Sequence, residues 1–490
     1  MYLKKLIYIA LLLAIPILGI AQQWEIDFND HTYSTRVNDG ILAHDGDIIA
    51  IGLMASDNNY INPLLLRIKA DGSYNERVYY DIPCFNPYSI VKLNNGNYMS
   101  WGVSQEQDIS TGTGVIIFND SLDIISIKCF ELDSIVSRIT GGKAIVDDDG
   151  TVVVCGEYEP GSTRKRPFFY RLNEDGGILD CHFVEPSNDY WAFNCYQILK
   201  DPHSDGYIVL NKGRNGLCSI TFYDRQFSET GYFVPQSNNY NPLYIEFNSE
   251  KWLSEDRLLT FGHTYEGRAH GYDLLLADIS LDGTTNRYVN ILNNPDTTYH
   301  CRNKCMAVVN DTTMYGLFYL YHKFKGSGTN AGACLFNKNM ELLGVRRFIN
   351  ETYHDIFPSS VVALPDGGCV LLCFRYNNYH DEDIFIIKMS REDFNPIPCS
   401  VSEVPKEQLE TTVFPNPTRG ELNINISKIP QNTENRVSIT DVNGITRMCR
   451  IIQGSGNLLT IDASSLESGV YLYSIYNSEK EFVKEKFIKE

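Results

Sequence analysis

Positive charge is scarce in this sequence. Lysine and arginine number 42 against 61 aspartates and glutamates, and the formal net charge at pH 7 is −19. A phosphate backbone is polyanionic and repels such a chain, so nucleic-acid binding is excluded as a function class. After the N-terminal apolar run, no segment of the sequence approaches the roughly 20 apolar residues of a membrane-spanning helix. We therefore expect no transmembrane anchor in the processed chain.

The common catalytic motifs are absent as well. The sequence contains no zinc-protease helix motif, no serine nucleophile elbow, no phosphate-binding glycine loop and no dinucleotide fingerprint. Each of these motifs places a nucleophile, a metal or a phosphate at a fixed point on the backbone, and none of those reaction types is indicated here. We predict no catalytic residue, no metal site and no cofactor.

Three clusters resemble sites, and each has a simpler interpretation. His300 and Cys301 with Cys305 suggest a metal clip, but no second Cys/His pair follows at zinc spacing. Asp147–Gly150 resembles part of a calcium loop whose remaining ligands are missing, which favours a solvated turn. His380–Asp383 offers a cation site or an acid/base pair, and a solvated loop is again the favoured interpretation.

The cysteine count is odd. Among 13 cysteines at least one thiol has no partner within the chain. Cys369 and Cys373 lie four residues apart in one apolar run, roughly 13 Å along a strand, which is too far for a disulfide. Most cysteines are expected to be small buried hydrophobes, and the sequence leaves the pairing of any others open.

Residues 1–21 at the N-terminus are predicted to be a cleaved signal peptide. Lys4 and Lys5 precede an apolar run from Leu6 to Leu18, and small residues follow at Gly19 and Ala21. This order of charge, apolar run and small residues is what a signal peptidase requires. Cleavage after Ala21 would leave Gln22 as the new N-terminus.

Aromatic residues are abundant, with 31 tyrosines and 24 phenylalanines beside few helical patterns, which favours β structure. Between Trp24 and about Pro396 a weak unit repeats: two apolar runs joined by a tight turn, a longer polar loop, then two more runs joined by another turn. The second unit shows it well, with Ser89–Leu93, the turn Asn94–Asn97 and Tyr98–Gly102. Such a unit is a small antiparallel sheet.

The units recur at intervals of 50 to 56 residues when the ends of their second strands are aligned at Gly52, Gly102, Gly156, Asn211, Gly262, roughly Phe318 and Cys373. Seven such sheets predict a seven-bladed β-propeller over residues 22–395, because radial closure protects their edges. The Asp-box, WD and kelch signatures of known propellers are absent.

The seventh unit has only three strands of its own. After Asp393 the chain enters Asn395–Pro398, whose prolines should prevent a ladder strand. We predict that Trp24–Phe28 supplies the fourth strand and closes the ring.

The two faces of the predicted propeller differ. The turns within hairpins one–two and three–four are short and rich in Asp-Gly or Asn-Gly, and we call this side the tight-turn face. The two–three loops and the blade-to-blade loops are long and rich in tyrosine and asparagine, and they form the loop-rich face. Aromatic and amide side chains suit stacking on sugars or gripping a polypeptide. The candidate ligand-binding residues are Tyr60, Tyr190, Trp191, Tyr240, Tyr265, Tyr321 and Tyr379.

Residues 396–411 contain three prolines and a charged stretch and are predicted to be a linker. Beyond them, short runs alternate apolar and polar residues, as in Leu422–Ile426, which suits a small immunoglobulin-like β-sandwich. The predicted fold class is therefore all-β, with a seven-bladed propeller followed by this sandwich.

Residues 412–490 carry an ordered set of short motifs. They are Pro415, Asn416 and Pro417, then Asp441 and Gly444, then Asp462 and Leu466, then Gly469 and Tyr471, and finally Lys489. In this order and at the chain's end they resemble the type A C-terminal sorting domain of the type IX secretion system. The resemblance implies export through the periplasm, secretion or attachment at the cell surface, and the secretion machinery as a partner.

The sequence therefore predicts an exported propeller that binds a glycan or a protein without catalysis. One alternative is a polysaccharide hydrolase or lyase on the same scaffold. Another is a structural or adhesive spacer, for which no concentrated aromatic face would be needed.

Overall fold

The chain forms two compact units, Met1–Ile397 and Pro398–Glu490. The structure is a computed structural model that describes residues 24–27, 34–55, 61–80, 82, 85–106, 109–131, 138–159, 165–184, 194–212, 218–235, 245–265, 272–292, 297–301, 304–322, 330–348, 355–376, 382–396, 411–426, 436–441, 446–452, 458–476 and 481–490. Within these ranges no helix is both long and apolar enough to cross a bilayer. The predicted signal peptide lies outside them, and so does nearly all of the predicted linker.

Seven antiparallel sheets form the first unit and confirm the seven blades. The strands up to the third blade are β1 (Trp24–Asp27), β2 (Ser34–Leu42), β3 (Ile48–Ala55), β4 (Ile61–Ile68), β5 (Tyr74–Val78), β6 (Phe85–Lys92), β7 (Tyr98–Glu106), β8 (Ile109–Phe118), β9 (Ile124–Glu131), β10 (Arg138–Val146), β11 (Val152–Glu159), β12 (Arg166–Leu172) and β13 (Ile178–Phe183). Blades one to three are β2–β5, β6–β9 and β10–β13.

Blades four to seven follow in chain order. Their strands are β14 (Asn194–Lys200), β15 (Tyr207–Lys212), β16 (Cys218–Tyr223), β17 (Glu229–Phe233), β18 (Ile245–Ser254), β19 (Arg257–Tyr265), β20 (Tyr272–Ser280), β21 (Thr285–Leu292), β22 (Thr297–His300), β23 (Met306–Asn310), β24 (Thr313–His322), β25 (Asn330–Phe336), β26 (Leu342–Phe348), β27 (Ile356–Ala363), β28 (Cys369–Tyr376), β29 (Glu382–Met389) and β30 (Asn395–Pro396). The first strands of successive blades pack side by side around the axis, and β27 returns to β2.

The N-terminal strand closes the ring as predicted. β1 pairs antiparallel with β29, with Trp24 opposite Lys388 and Asp27 opposite Phe385. Phe28 lies outside the described residues. Blade seven is thus assembled from both ends of the propeller sequence, which ties closure of the ring to its N-terminal strand.

Two expectations about strands were wrong. Asn395–Pro396 does pair, opposite Val345 and Gly344 on the free edge of blade six, where a proline without an N–H is tolerated. The residues aligned as strand ends are not ends, because each second strand continues one to four residues beyond them.

The glycine that recurs at the aligned positions lies opposite a bulge in the first strand of the blade, and it does not mark the end of the second strand. In six blades that strand carries a register shift opposite the aligned position, as at Val37/Asp39 beside Gly52. A Cβ at Gly52 would lie 2.1 Å from the Arg36 carbonyl oxygen. The 50- to 56-residue period in the sequence therefore follows a β-bulge that repeats around the axis.

Blade six was the least regular unit in the sequence, and its inner strand is divided. β22 and β23 both pair with β24, and a wide bulge spanning Cys301 to Cys305 separates them. The aligned residue Phe318 lies within β24, opposite Gly332 of the third strand. This longer bulge takes the place of the single extra residue found in the other blades. The alignment of the sixth unit at Phe318 was therefore only approximate.

The tight-turn face matches its sequence. Gly46, Gly72, Gly96, Gly150, Gly176, Gly283 and Gly367 all have positive φ angles. The preceding aspartate or asparagine commonly accepts an amide hydrogen bond two residues on, as Asp71 does from Ser73 at 2.9 Å. Gly206 was expected among them, but its turn is longer and runs from Asp201 to Gly206.

The three–four turns alternate between two types. Blades one, three and five use glycine at the left-handed position, whereas blades two, four and six use Leu122, Phe227 and Met340 with φ near +60°. All three apolar side chains are buried, and the ring of Phe227 stacks on Phe169 at 4.7 Å. The three–four turn of each even-numbered blade thus places an apolar side chain in the interface with the preceding blade. This packing offsets the strain of the left-handed backbone.

The second unit is a two-sheet β-sandwich, as predicted. Its strands are β31 (Thr411–Phe414), β32 (Glu421–Ile426), β33 (Arg436–Asp441), β34 (Thr446–Ile451), β35 (Leu458–Asp462), β36 (Gly469–Tyr476) and β37 (Glu481–Lys489). One sheet has the order β31-β32-β35 and the other β34-β33-β36-β37. Apolar residues of both sheets, such as Ile424, Ile439 and Tyr473, meet in a single core.

Candidate functional site

The predicted binding aromatics belong to loops that the structure leaves largely undescribed. Tyr60, Tyr190, Trp191, Tyr240 and Tyr379 lie outside the described residues. Tyr265 ends β19 opposite Tyr272, and Tyr321 lies in β24 opposite Thr298; only their backbones are described. The strand ends that support the loop-rich face are within the described residues.

Those strand ends carry a cluster that the sequence analysis missed, which we call the axial mouth. It consists of Arg36, Asn38, Asn86, Tyr88, Tyr376 and Glu382. Arg36 projects from β2, the innermost strand of blade one, and Glu382 begins β29 of blade seven. The cluster therefore spans blades seven, one and two where the inner strands reach the loop-rich face.

Arg36 and Glu382 form its centre. The guanidinium Nε donates to Oε2 at 2.8 Å, and Nη2 donates to Oε1. The guanidinium also lies over the ring of Phe374, 4.5 Å from its centroid. Burial by itself lowers the pKa of Arg36, but the hydrogen bonds and charge of Glu382 outweigh it, so the pKa is raised above its usual value.

Amide and phenol groups extend the mouth toward blade two. Asn38 Nδ2 donates to Asn86 Oδ1 at 3.0 Å and to the Pro87 carbonyl at 2.6 Å. Asn86 Nδ2 in turn donates to the Tyr88 hydroxyl at 3.3 Å. Asn38, Asn86 and Tyr88 are all half-buried, so one polar chain of groups is presented partly to solvent.

Aromatic rings extend it in the other direction. Phe357 stacks on Phe374 at 5.4 Å and meets Tyr376 edge-on at 5.4 Å. Tyr319 of blade six lies 6.0 Å from Phe357. A row of aromatic rings thus leads from Arg36 through the buried Phe374 to half-buried rings at one side of the mouth, a combination that suits sugar rings and peptide side chains.

Below the mouth, a buried carboxylate joins the inner strands of several blades. Asp39 is fully buried and accepts hydrogen bonds from the amides of Gly40 at 2.8 Å and Ile90 at 3.1 Å. Ser360 of blade seven and Lys304 of blade six donate to the same carboxylate. Four blades are therefore tied to one buried charge.

The acidic candidates from the sequence are engaged within the fold. Glu382 and Asp383 are buried, so the solvated-loop interpretation was wrong for both; His380 and Asp381 lie outside the described residues. The solvated-turn interpretation was also wrong for Asp147, which is buried and bonds to Lys200 Nζ at 2.8 Å and to the Tyr207 hydroxyl.

Asp147 forms an ion-pair centre between blades three and four. Arg171 also approaches it, at 3.4 Å. Burial alone would raise the pKa of this carboxyl, but the hydrogen bonds from Lys200 and Tyr207 dominate and lower it to about 2. The second half of the motif differs, because Asp149 is exposed and pairs with Arg225 at 2.6 Å.

The proposed metal clip has a different arrangement. Cys301 Sγ lies 3.6 Å from Nδ1 of His263, and both residues are buried. Cys305 is buried in the same apolar cluster as Cys301. Across the ranges that the structure describes, no three His, Cys, Asp or Glu residues are grouped to hold a metal ion.

The motifs of the second unit hold its C-terminal strand in place. Asn416 Oδ1 accepts the Ile488 amide at 2.9 Å, and Thr418 bridges in parallel to Lys489. The Glu490 amide donates to the Thr418 carbonyl at 2.8 Å. Lys489 itself is buried to 7 % exposure, so this terminal lysine is part of the packed structure.

The remaining motif residues are equally structural. Ser464 donates its amide to Asp462 at 2.9 Å, and Leu466 is buried in the sandwich core. The Tyr471 hydroxyl donates to the Glu467 carbonyl at 3.0 Å, two residues before Gly469 opens the strand, and its ring stacks on Phe487.

Asp441 accepts from Arg447 at 2.7 Å. Gly444 lies outside the described residues. The motifs therefore specify a sandwich whose last strand is firmly anchored.

Comparison with known families identifies this unit. Residues 412–490 match the family model of the secretion system C-terminal sorting domain. The match confirms the expected type IX sorting domain and, with it, export to the cell surface or the medium. It also implies the secretion machinery as a partner.

Curated proteins gave no match to the chain. Among solved structures, a protein of unknown function from Dyadobacter fermentans is 10 % identical with a TM-score of 0.41, covering 74 % of this chain and 98 % of its own. An ulvan lyase is 9 % identical with a TM-score of 0.45, covering 76 % and 98 %. A putative 6-phosphogluconolactonase from Bacteroides fragilis is 9 % identical with a TM-score of 0.37, covering 75 % and 96 %.

Proposed function

We propose that this exported propeller is a non-catalytic binding module that holds a glycan or a protein through its loop-rich face. The axial mouth carries the proposal. Half-buried tyrosines, two asparagines and a guanidinium converge there, whereas the opposite face is built of tight turns whose polar groups bond to their own backbone.

The chemistry of the mouth favours a neutral or weakly charged polar ligand. The charge of Arg36 is balanced by Glu382. Amide and hydroxyl groups offer both donors and acceptors, and the aromatic rings offer flat apolar surfaces. A sugar or a peptide backbone presents the complementary groups.

A polysaccharide hydrolase on this scaffold would require a pair of carboxylates directed at a bound substrate. Near the axis, Glu382 is engaged by Arg36 and Asp39 by Lys304. The described residues therefore favour binding over hydrolysis.

A glycan array probed with the full chain tests the proposal, followed by incubation of each bound glycan with the protein and analysis of product length. We expect saturable binding without shortening of the glycan. Shortened products would support the hydrolase or lyase, and an array with no binding, combined with no capture of a surface protein, would leave the structural spacer.

We also propose that residues 1–21 are removed as a signal peptide before the ring closes. Trp24, three residues beyond the proposed cleavage site, is already paired with Lys388 in the closed blade. N-terminal sequencing of the exported protein would test this, with Gln22 as the expected first residue.

A further inference from the structure

A cavity of about 220 Å³ lies at the seam between blades seven and one, on the tight-turn face. Ile48, Ile68, Leu364 and Val370 form its apolar wall, the indole of Trp24 lies at one side, and Lys388 contributes the ammonium. Exposed turn residues such as Asp45 and Lys69 also line it, so the cavity opens to solvent.

The cavity arises where the alternation of the blades fails. In the seams between blades one and two and between three and four, the third strand supplies an arginine and the next blade supplies an apolar left-handed residue. Arg67 donates to the Asp120 carbonyl beside Leu122, and Arg171 donates to the Arg225 carbonyl beside Phe227.

A ring of seven blades cannot alternate throughout, because blades seven and one are both odd. Lys388 occupies the position of Arg67 and Arg171, and it donates toward the Ala70 carbonyl at 3.5 Å. The turn that follows carries Gly72 in place of an apolar side chain. In this seam the turn therefore supplies no apolar side chain beside the cation, and the Trp24 indole lies next to Gly72 instead.

The cavity corresponds to the surroundings of Phe227. That ring contacts Tyr207 at 5.6 Å and lies 5.1 Å from the Arg171 guanidinium. Ile48 begins the second strand of blade one as Tyr207 begins that of blade four, and Lys388 replaces Arg171. The Cβ of any residue at position 72 would meet the Trp24 indole at 2.7 Å, so no side chain can enter the cavity from this turn.

The buried carboxylate that accompanies Arg171 has no equivalent in this seam. Arg171 has the buried carboxylate of Asp147, whereas the residue that follows the first strand in blade seven is Leu364. Lys388 is buried to 6 % exposure, and its carboxylate partner is Asp366, 3.2 Å away on a partly exposed turn. A buried ammonium is most stable with a close anion, which a ligand can supply.

We propose that this cavity binds a small aromatic carboxylate, whose ring lies against the apolar wall beside the Trp24 indole and whose carboxylate pairs with Lys388. The size agrees, because a cavity of about 150 Å³ suffices for benzene and the extra volume accommodates a short acid side chain. The site lies on the opposite face from the axial mouth and does not depend on the function proposed there.

Calorimetric titration of the full chain with phenylacetate, phenylacetamide and acetate tests the proposal. We expect saturable binding of phenylacetate, at least tenfold weaker binding of the neutral amide, and no binding of acetate. Lys388→Met should remove the preference for the acid, while Lys128→Met, which removes an exposed lysine of blade two, should leave it unchanged.

A second variant fills the cavity from within. Ile48→Tyr introduces the residue found at the same position in blades two and four, Tyr98 and Tyr207. It should abolish phenylacetate binding without lowering the melting temperature. Absence of saturable binding to the native protein, equal binding of acid and amide, or unchanged binding by a folded Ile48→Tyr would overturn the proposal.

Discussion

At the scale of single residues, the propeller depends on buried charges that join neighbouring blades. Asp147 is an example, since it receives Lys200 Nζ at 2.8 Å from blade four and Arg171 Nη1 at 3.4 Å from its own blade. Its side chain is only 1 % exposed. A carboxylate in this position stabilises the fold only while it is ionised.

Replacing Asp147 with asparagine should lower the free energy of unfolding at pH 7 by roughly 2 kcal/mol, the linkage value of a pKa near 2 against an unfolded value near 4. Because the folded-state pKa is depressed, this contribution is present above about pH 4 and is lost as the pH falls toward about 2. Denaturant titrations across that range should show a steeper loss for the native protein than for Asp147→Asn.

Asp148→Asn is the matched control, since Asp148 is exposed and adjacent. It should behave as the native protein does. Parallel loss of stability in the native protein and Asp147→Asn between pH 5 and pH 2 would contradict the assigned role.

At the scale of strands and blades, the repeated bulge determines where the inner strands direct their side chains. Asn38 lies at the extra position of blade one and Tyr88 at that of blade two. Both belong to the axial mouth. The glycines opposite the bulges are thus connected to the proposed site as well as to the fold.

Gly52→Ala should reduce the free energy of unfolding by on the order of 3 kcal/mol, because the new methyl would collide with the backbone of Arg36. Gly231→Ala in β17 is the control. Nothing lies within 4 Å of a Cβ built there, so its stability should be unchanged or slightly raised. Thermal unfolding of both variants checks this, and equal effects would refute the steric explanation.

The sequence predicted the blades well because the glycine opposite four of the six bulges and the Asp-Gly turns are local signals with fixed backbone causes. It did not reveal Leu122, Phe227 and Met340 as left-handed residues, since no local signature distinguishes them from ordinary apolar residues. The pairs Arg36–Glu382 and Lys304–Asp39 join residues more than 260 positions apart, so only the closed ring brings them together.

At the scale of the whole molecule, the chain combines a propeller with a separate sorting domain. The match at residues 412–490 establishes export. The motif residues of that domain are used to anchor its last strand, as with Thr418 and Lys489. The motif residues therefore contribute to the folded sandwich itself.

Deletion of residues 412–490 should leave a folded propeller in the periplasm of the native host, because each unit has its own hydrophobic core. Cell fractionation with immunodetection measures this, and circular dichroism of the purified truncated chain checks its folding. Surface levels equal to those of the full chain would show that sorting does not depend on this domain.

The central claim is that the glycan or protein ligand binds at the loop-rich face. Its most direct test is the dissociation constant of the full chain for its best array glycan or captured protein, compared between Tyr88→Ala or Tyr376→Ala at the axial mouth and Asp71→Ala or Asp282→Ala in the tight turns. We expect each tyrosine variant to lose about 1–3 kcal/mol of binding free energy, the contribution of one stacking contact, and the turn variants to bind as the native protein does. Equal losses from both faces, or losses confined to the tight turns, would contradict the account.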